Sequence, residues 1–454
     1  NYLINRKFCI CKNKLVKKIN FGNLPLINNY KSKKYLTKYP VIVTQCKKCL
    51  LIQLKYSVPD RLLFSKNYSY LSGNSKEKIN NFGSILEKIV KFSRKKKPKI
   101  LDIGCNDGSF LELVKKKYSN VLGVEPTNTA DIALNKKINT IKKPLNFELA
   151  KKIVRKYSKF DFIVATNFFA QTNNLNEIIK SVKLILDSKG LLIVEVQYLY
   201  DLLIQKGFDS FHHEHIAYYT ASSIKKVLEA HKLYVFDAER LKVHGGMLRV
   251  YVSLNKQPIT KKLKKILSKE DDKNIIAKIN NLNSFRIKFS NKVKRFLINL
   301  KKQKKMIYGM GAAPRACVML NSCNLSKNEI GLVGEVSQSL KCNKYIPGTD
   351  IMVKDENKII TDKPDYVIIL AWHLAKRIIN LDYISLVNLI MDREVVKELI
   401  QGEFNSDSLK IELNKILEPK NRERIFKDYY ELEQKLGGIG ASLETATLIY
   451  NSIK

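Results

Sequence analysis

Three groups of residues in this sequence carry side chains able to do chemistry. The first is Phe208-Asp-Ser-Phe-His-His-Glu-His-Ile-Ala-Tyr-Tyr219, which holds three of the six histidines of the chain. A loop so dense in groups that titrate near neutral pH suits proton transfer. Metal binding is a rival reading, but His212-His213-Glu214-His215 lacks the i, i+4 histidine pair of a helical zinc site. A structural cluster of buried histidines is the third. Downstream, His244-Gly245-Gly246-Met247-Leu248-Arg249 sets an imidazole and a guanidinium around a flexible turn. That set can hold a phosphate or a sugar oxygen; the bland alternative is a β-turn with a surface arginine.

The second group is Ile100-Leu-Asp-Ile-Gly-Cys-Asn-Asp-Gly-Ser-Phe110, followed by a helix and by Val121-Leu-Gly-Val124 with Glu125 at its end. A strand, a glycine turn, a helix and a second strand closed by an acid is how a Rossmann-type sheet holds a nucleoside. Gly104 and Gly108 let backbone approach a ligand, and Glu125 is placed for ribose hydroxyls. Cys105 and Asn106 fill the turn between them. The turn lacks the lysine of a phosphate-binding loop, and Asp102 and Asp107 would repel a pyrophosphate. Both acids suit a cationic ligand, and S-adenosylmethionine carries a sulfonium and an ammonium. Asn167, Phe168 and Gln171 follow a later strand end, where contact with the cofactor is weighed against a plain strand cap.

The third group is four cysteines. Cys46-Lys-Lys-Cys49 is a metal knuckle, and Cys9-Ile-Cys11 is its partner across 34 intervening residues. Four thiolates close a tetrahedral structural zinc site and leave no open position for catalysis. The alternative is a metal-free remnant, because one intervening residue departs from the usual two. The segment holds too little apolar mass for a core of its own, so the metal would supply folding energy.

These groups need positioning elements. Residues 71–200 alternate helices (76–93, 109–117, 145–157, 175–187) with strands (99–103, 121–124, 161–166, 190–196), the α/β signature. Strands are expected at 234–240 and 247–254, with a helix at 222–231 between them and the histidine loop. A basic helical hairpin follows at 258–304, and a second α/β unit begins at Met306-Ile-Tyr-Gly-Met-Gly-Ala312. Strands are expected there near 330–334 and 365–370. The chain has 454 residues, 45% of them hydrophobic, which allows several cores. The formal net charge of +40 reflects lysines spread over every segment. A compositional bias explains this better than a nucleic-acid surface, so no nucleic-acid partner is expected. No apolar run of membrane-spanning length and no signal peptide are visible, and a cytoplasmic protein without a stable membrane anchor is expected. The first residue, Asn1, reads as a fragment or an incomplete reading frame.

Residues 1–380 resemble the sugar C-methyltransferases. The shared features are the cysteine knuckles, Phe21-Gly-Asn-Leu-Pro-Leu26, Asp102-Ile-Gly-Cys-Asn-Asp-Gly108 and Gly123-Val-Glu-Pro126. Then come the Glu214-His215 loop, Val243-His-Gly-Gly246, Tyr308-Gly-Met-Gly-Ala312 and Tyr345-Ile-Pro-Gly-Thr349. The resemblance implies an α/β chain with a zinc-binding domain (1–70), a class I methyltransferase core binding S-adenosyl-L-methionine (71–200), a catalytic and connecting region (201–304) and a C-terminal Rossmann-like domain (305–380). A helical tail (381–454) follows, outside this resemblance. The resemblance also implies a nucleotide-linked keto-deoxysugar substrate, with His215 as the base and Glu214 beside it to orient or tune it. The second Rossmann turn, with Tyr308, Gly309, Gly311 and Arg315, would take the diphosphate, and Glu335 stands as the acid after its second strand. The family places a tyrosine where this chain has His212; the enolate-stabilising role would pass to a protonated His212.

From Tyr383 the character changes. Tyr383-Ile-Ser-Leu-Val-Asn-Leu-Ile390, the run from Arg393 to Gln401, and Leu436-Gly-Gly-Ile-Gly-Ala-Ser442 resemble the C-terminal end of lipid-A-disaccharide synthase. A fused remnant without a complete glycosyltransferase site is expected there, since a site needs both walls. Two other functions remain in view: a lipid A-related glycosyltransferase, supported by the tail, and a zinc-bearing binding protein without catalysis.

Overall fold

Short runs of Ile, Leu and Val bounded by turn residues form the strands of a seven-stranded sheet. These are β1 (Ile100–Ile103), β2 (Val121–Val124), β3 (Thr140–Ile141), β4 (Phe160–Thr166), β5 (Leu186–Gln197), β6 (Tyr234–Leu241) and β7 (Met247–Ser253). A computed structural model describes residues 3–64, 68, 70–337, 339–372, 391, 393–395, 397 and 406–435. The spatial order is β6-β7-β5-β4-β1-β2-β3. Strands β1 to β5 run parallel to one another, and β7 runs antiparallel to both β5 and β6. The chain builds outward from β1 to β3 and then returns to β4 on the other side of β1. That reversal opens a crevice above the C-terminal ends of β1 and β4, the usual ligand position in such sheets.

Both faces are covered, which is why β1, β2 and β4 read as near-continuous apolar runs. One face meets α1 (Lys76–Phe92) and α2 (Ser109–Lys115), where Phe82, Ile85 and Phe110 pack on Ile100, Val164 and Ile193. Helices Phe147–Tyr157, Leu175–Ile185 and Ala221–Glu229 cover the other, on Leu101, Ile163 and Val194. Each such buried side chain contributes about 1.5–3 kcal/mol relative to exposure. The helix expected at 175–187 stops at Ile185, and β5 starts at once and passes through a bulge.

A polar row crosses the α1 face of the sheet. Arg249 lies opposite Glu195 in register and donates to it through Nε at 2.7 Å. It also donates to Asn81 (3.0 Å), Ser84 (2.7 Å) and Glu239 (3.2 Å). Arg249 is only 1% exposed, so the expectation that it contacts substrate beside the Gly-Gly turn is corrected. Strand alternation turns Arg249 and Tyr251 under α1, whereas the turn sits above the strand end. Arg249→Met leaves the buried Glu195 carboxylate without its cation and should lower stability by about 3–5 kcal/mol. The urea midpoint checks this, and adding Glu195→Leu should recover part of the loss.

The first 70 residues are less loop-rich than their composition suggests. Strands Leu15–Leu24, Tyr39–Cys46 and Ile52–Leu54 form an antiparallel sheet, and its fourth strand is Ala217–Tyr218 from the end of the histidine loop. The alternation of Ile19 with Phe21, and of Val41 with Val43, was the available signal; all four are buried. Helices Lys261–Ser268 and Ile275–Lys302 stand where the basic helical stretch was expected.

The second α/β unit is a four-stranded parallel sheet in the order Met352–Asp355, Leu332–Glu335, Ile307–Met310, Tyr366–Ile369. Its Met352–Asp355 strand had no counterpart in the sequence reading. The chain divides into two compact units, Asn1–Ala371 and Trp372–Lys454. Within the second, helices Ser406–Leu417 and Pro419–Lys435 are described, and Arg393 pairs with Asp428 (2.7 Å) and Glu431 (2.6 Å). The runs 383–390 and 436–442 lie outside the described residues. Among the described residues no helix is long and apolar enough to cross a membrane.

Candidate active site

The crevice above β1 is built by backbone. Gly104 and Gly108 take φ of +74° and +73°, and a Cβ on Gly108 would come within 2.8 Å of Ala133. The Asn106 N–H donates to Glu125 Oε2 at 3.0 Å, and the Thr127 N–H donates to Oε1 at 2.9 Å. Two backbone donors thus fix the carboxylate at the end of β2 and leave lone pairs for a ribose. Asp102, at the end of β1, is pushed up to about 8, chiefly by burial, with Lys78 pulling the other way. Asn167, in a left-handed conformation after β4, donates its N–H to the Glu195 carbonyl at 2.8 Å. The Cys105 side chain packs in the core beneath the sheet, so that residue offers a ligand its backbone alone.

A strap that the sequence reading missed lies across this turn. Ser72 N–H donates to Asn106 Oδ1, and Gly73 N–H to Asp107 Oδ2, both at 2.9 Å. Asn106 Nδ2 returns a bond to the Tyr70 carbonyl at 3.1 Å, and Asn128 Oδ1 accepts from Tyr68 N–H at 2.9 Å. The Asn106 and Asp107 side chains therefore hold the strap. Tyr68 is buried, and its phenol is held well above the ordinary range by that burial and by Glu214 and Glu125. It sits between the cofactor acid and the histidine loop. The turn-rich Ser72-Gly-Asn-Ser75 before α1 was its signal in the sequence.

In the histidine loop, His215 Nδ1 lies 3.2 Å from the Ser210 carbonyl. A carbonyl only accepts, so Nδ1 carries the hydrogen and Nε2 is left as the basic nitrogen. Burial pulls the imidazole down to about 4, so it is neutral at neutral pH. The His212 ring lies against it, tilted by 35° with ring centroids 4.2 Å apart. Burial, and then His215, hold His212 well below its ordinary range, which corrects the expectation of a protonated His212. Glu214 is pushed up to about 7 by burial, and it accepts both its hydrogen bonds from Asn28 Nδ2, at 2.8 and 3.0 Å. Its anchor is therefore the N-terminal segment rather than the His215 ring.

The second glycine turn repeats the first. Gly311 has φ of +89°, and Ala312 N–H donates to Glu335 Oε2 at 2.9 Å, as Asn106 does to Glu125. Lys341 donates to the Ala312 carbonyl at 2.8 Å. Arg315 pairs with Asp209 of the histidine loop at 2.6 Å and approaches to 3.2 Å of where a Gly245 Cβ would stand. Gly245, Gly246, Arg315 and the loop are thus brought together. Tyr308 and Gly309 are not: the Tyr308 hydroxyl donates to Asp362 at 2.6 Å, and Gly309 is packed between Leu370 and Val333. The His244 side chain lies outside the described residues. A cavity of about 370 Å³ lined by Asn28, Tyr30, Lys31, Lys33, Leu340 and Lys344 adjoins this region.

Cys9, Cys11, Cys46 and Cys49 bring their sulfurs within 4.8 Å of one another. Cys9 lies 3.5 Å from Cys49 and Cys11 lies 3.3 Å from Cys46. Lys12 and Leu50, the residues that follow Cys11 and Cys49, are both left-handed.

Residues 78–237 match the family model of a methyltransferase domain, and residues 242–384 that of a C-methyltransferase C-terminal domain. Residues 364–448 match that of lipid-A-disaccharide synthetase. The chain is 26% identical over 373 residues to the C-methyltransferase NovU of Streptomyces niveus, covering 80% of this chain and 88% of that protein. Over 80 residues it is 34% identical to the lipid-A-disaccharide synthase of Persephonella marina, covering 17% of this chain and 21% of that enzyme. The chain thus spans about a fifth of that synthase. Among solved structures, magnesium protoporphyrin IX methyltransferase from Synechocystis is similar at 14% identity, covering 39% of this chain and 84% of that one, with a TM-score of 0.32. The protein is an S-adenosylmethionine-dependent methyltransferase. It is similar to NovU through most of both chains, and its C-terminal part matches the model of a C-methyltransferase C-terminal domain.

Proposed function

We propose that the protein methylates a carbon of a nucleotide-linked keto-deoxysugar through an enolate generated by His215. The observation that carries this reading is the neutral, half-buried imidazole whose Nδ1 is held by the Ser210 carbonyl. A ketone at C-4 acidifies the hydrogen on C-3. His215 Nε2 takes that proton, the C–H electron pair becomes the enolate double bond, and the charge moves to the ketone oxygen. Bound over Gly104–Gly108 with its ribose on Glu125, S-adenosylmethionine supplies a sulfonium-activated methyl group for the enolate carbon. The neutral His212 ring, tilted against His215, is the candidate donor to the developing oxyanion. The lysine-lined cavity suits a diphosphate, with Lys31, Lys33 and Lys344 as point charges, and Glu335 suits the second ribose. The four cysteines fit one structural zinc, since sulfurs on a tetrahedral ion with bonds near 2.3 Å stand about 3.8 Å apart.

The test is incubation with methyl-labelled S-adenosylmethionine and a panel of nucleotide-linked 4-keto-6-deoxysugars. Label should enter the sugar as a carbon-bound methyl. In heavy water without the methyl donor, the C-3 hydrogen should exchange. Intact cofactor binding with neither labelling nor exchange on any sugar would sink the proposal.

A further inference from the structure

The orientation of His215 is inherited from Ser210, whose carbonyl holds Nδ1 at 3.2 Å. Ser210 ends the short helical turn Phe208–Ser210, and an aromatic ring is packed on each side of its polar pair. Phe208 lies against Phe289 with ring centroids 5.7 Å apart, and Phe211 stacks on Phe21 at 4.5 Å. Apolar contact is non-directional, so it buries the turn without fixing where its carbonyls point. Hydrogen bonds supply the direction. Gln197 Nε2 donates to Ser210 Oγ at 3.2 Å. Arg315 donates to the Asp209 carboxylate at 2.6 Å, the two side chains being 11% and 4% exposed. A charge-assisted bond of this kind is about twice as strong as a neutral one.

The guanidinium is seated as well as paired. Arg315 stands in the first turn of helix Pro314–Ser322, in the second α/β unit. A Cβ on Gly207 would stand 3.2 Å from one of its terminal nitrogens, and a Cβ on Gly245 would stand 3.2 Å from the other. The slot it fills therefore lies between the start of the histidine loop and the Gly-Gly turn. Its charge reaches the ring too: burial first, and then Arg315, lower His215 against the pull of the Ser210 carbonyl. We propose that Arg315 is the positioning residue of the base. By pinning Asp209 it fixes the adjacent Ser210 carbonyl and, through it, the tautomer and direction of the His215 ring. This rests on the reading of His215 as the base. The diphosphate role expected of Arg315 from the sequence would make it a substrate contact instead, and the two roles differ in what a variant loses.

The experiment compares the full chain with Arg315→Gln, which keeps a donor but loses the charge and the reach. In protein carrying nitrogen-labelled histidine, the His215 signals are identified by their loss in His215→Asn. At neutral pH they should report hydrogen on Nδ1 in the parent and its redistribution toward Nε2 in the variant. Methyl transfer is measured to the nucleotide-linked 4-keto-6-deoxysugar that the parent labels best, and counted per S-adenosylhomocysteine-binding site so that unfolded chains do not enter. It should fall about 10- to 100-fold, the scale of a displacement of about 1 Å at a reacting group. The KM for that sugar should stay within about twofold, since no substrate contact is lost. The same tautomer in both chains overturns the proposal whatever the activity, and a raised KM at unchanged kcat overturns it in favour of the diphosphate. Should Arg315→Gln not fold, Asp209→Asn breaks the same pair and must give the same redistribution. Arg315→Lys, which still pairs with Asp209, should restore part of the transfer. A parent that methylates none of the sugars strikes the reading of His215 as the base, while the tautomer comparison still decides whether Arg315 positions the ring.

Discussion

His215→Asn should lower methyl transfer by about 10²- to 10⁴-fold, the range of a positioned general base, and leave S-adenosylhomocysteine affinity within about twofold. The amide keeps a donor for the Ser210 carbonyl and removes the basic nitrogen. Measured kcat and cofactor Kd decide the matter, and a parallel loss of cofactor affinity and thermal stability would make His215 a packing residue. The pH profile supplies a second readout. Because burial holds His215 near 4, its protonation should begin to slow the reaction only as pH falls toward 4. An exposed imidazole would give that limb near 6.5. The linkage sign follows: the depressed His215 favours the fold above about pH 6.5, and that contribution is lost as pH falls through 4.

Cys46→Ser should remove the metal and with it the order of the N-terminal strands. Metal analysis of the unaltered protein should return about one zinc per chain. In small zinc domains the metal contributes on the order of 10 kcal/mol to folding, so the variant should melt well below the parent. Methyl transfer should fall too, although no sulfur meets the substrate, because Ala217–Tyr218 pairs with the same sheet and Asn28 holds Glu214. Less than about 0.1 zinc per chain, with melting unaffected by chelator, would exclude the metal.

The central sheet was legible in the sequence because β1, β2, β4 and β5 are apolar runs punctuated by glycine and acid at fixed offsets. Glu125 was legible for the same reason; its two backbone donors, Asn106 and Thr127, were not. Arg249 was misplaced because sequence proximity to a turn says nothing about which face a strand residue takes. Tyr308 failed similarly, its hydroxyl turning to Asp362. The strap over Asn106 and Asp107 was hidden because its bonds join residues 34 apart in sequence. The protonation of His212 could not be read either, since burial set it, and burial is a property of the assembled fold.

The edge strand Ala217–Tyr218 has a temporal consequence. The sheet that carries the cysteine knuckles stays unpaired along Ile52–Leu54 until some 160 further residues have left the ribosome, roughly 10–30 s of synthesis. Through that interval the sheet that carries the four cysteines keeps an open edge. When residue 218 arrives, the closing strand brings the histidine loop with it. Closure of that sheet and placement of the histidine loop thereby become a single late event, and a nascent chain stopped at residue 200 would hold the parallel strands β1 to β5 without that loop.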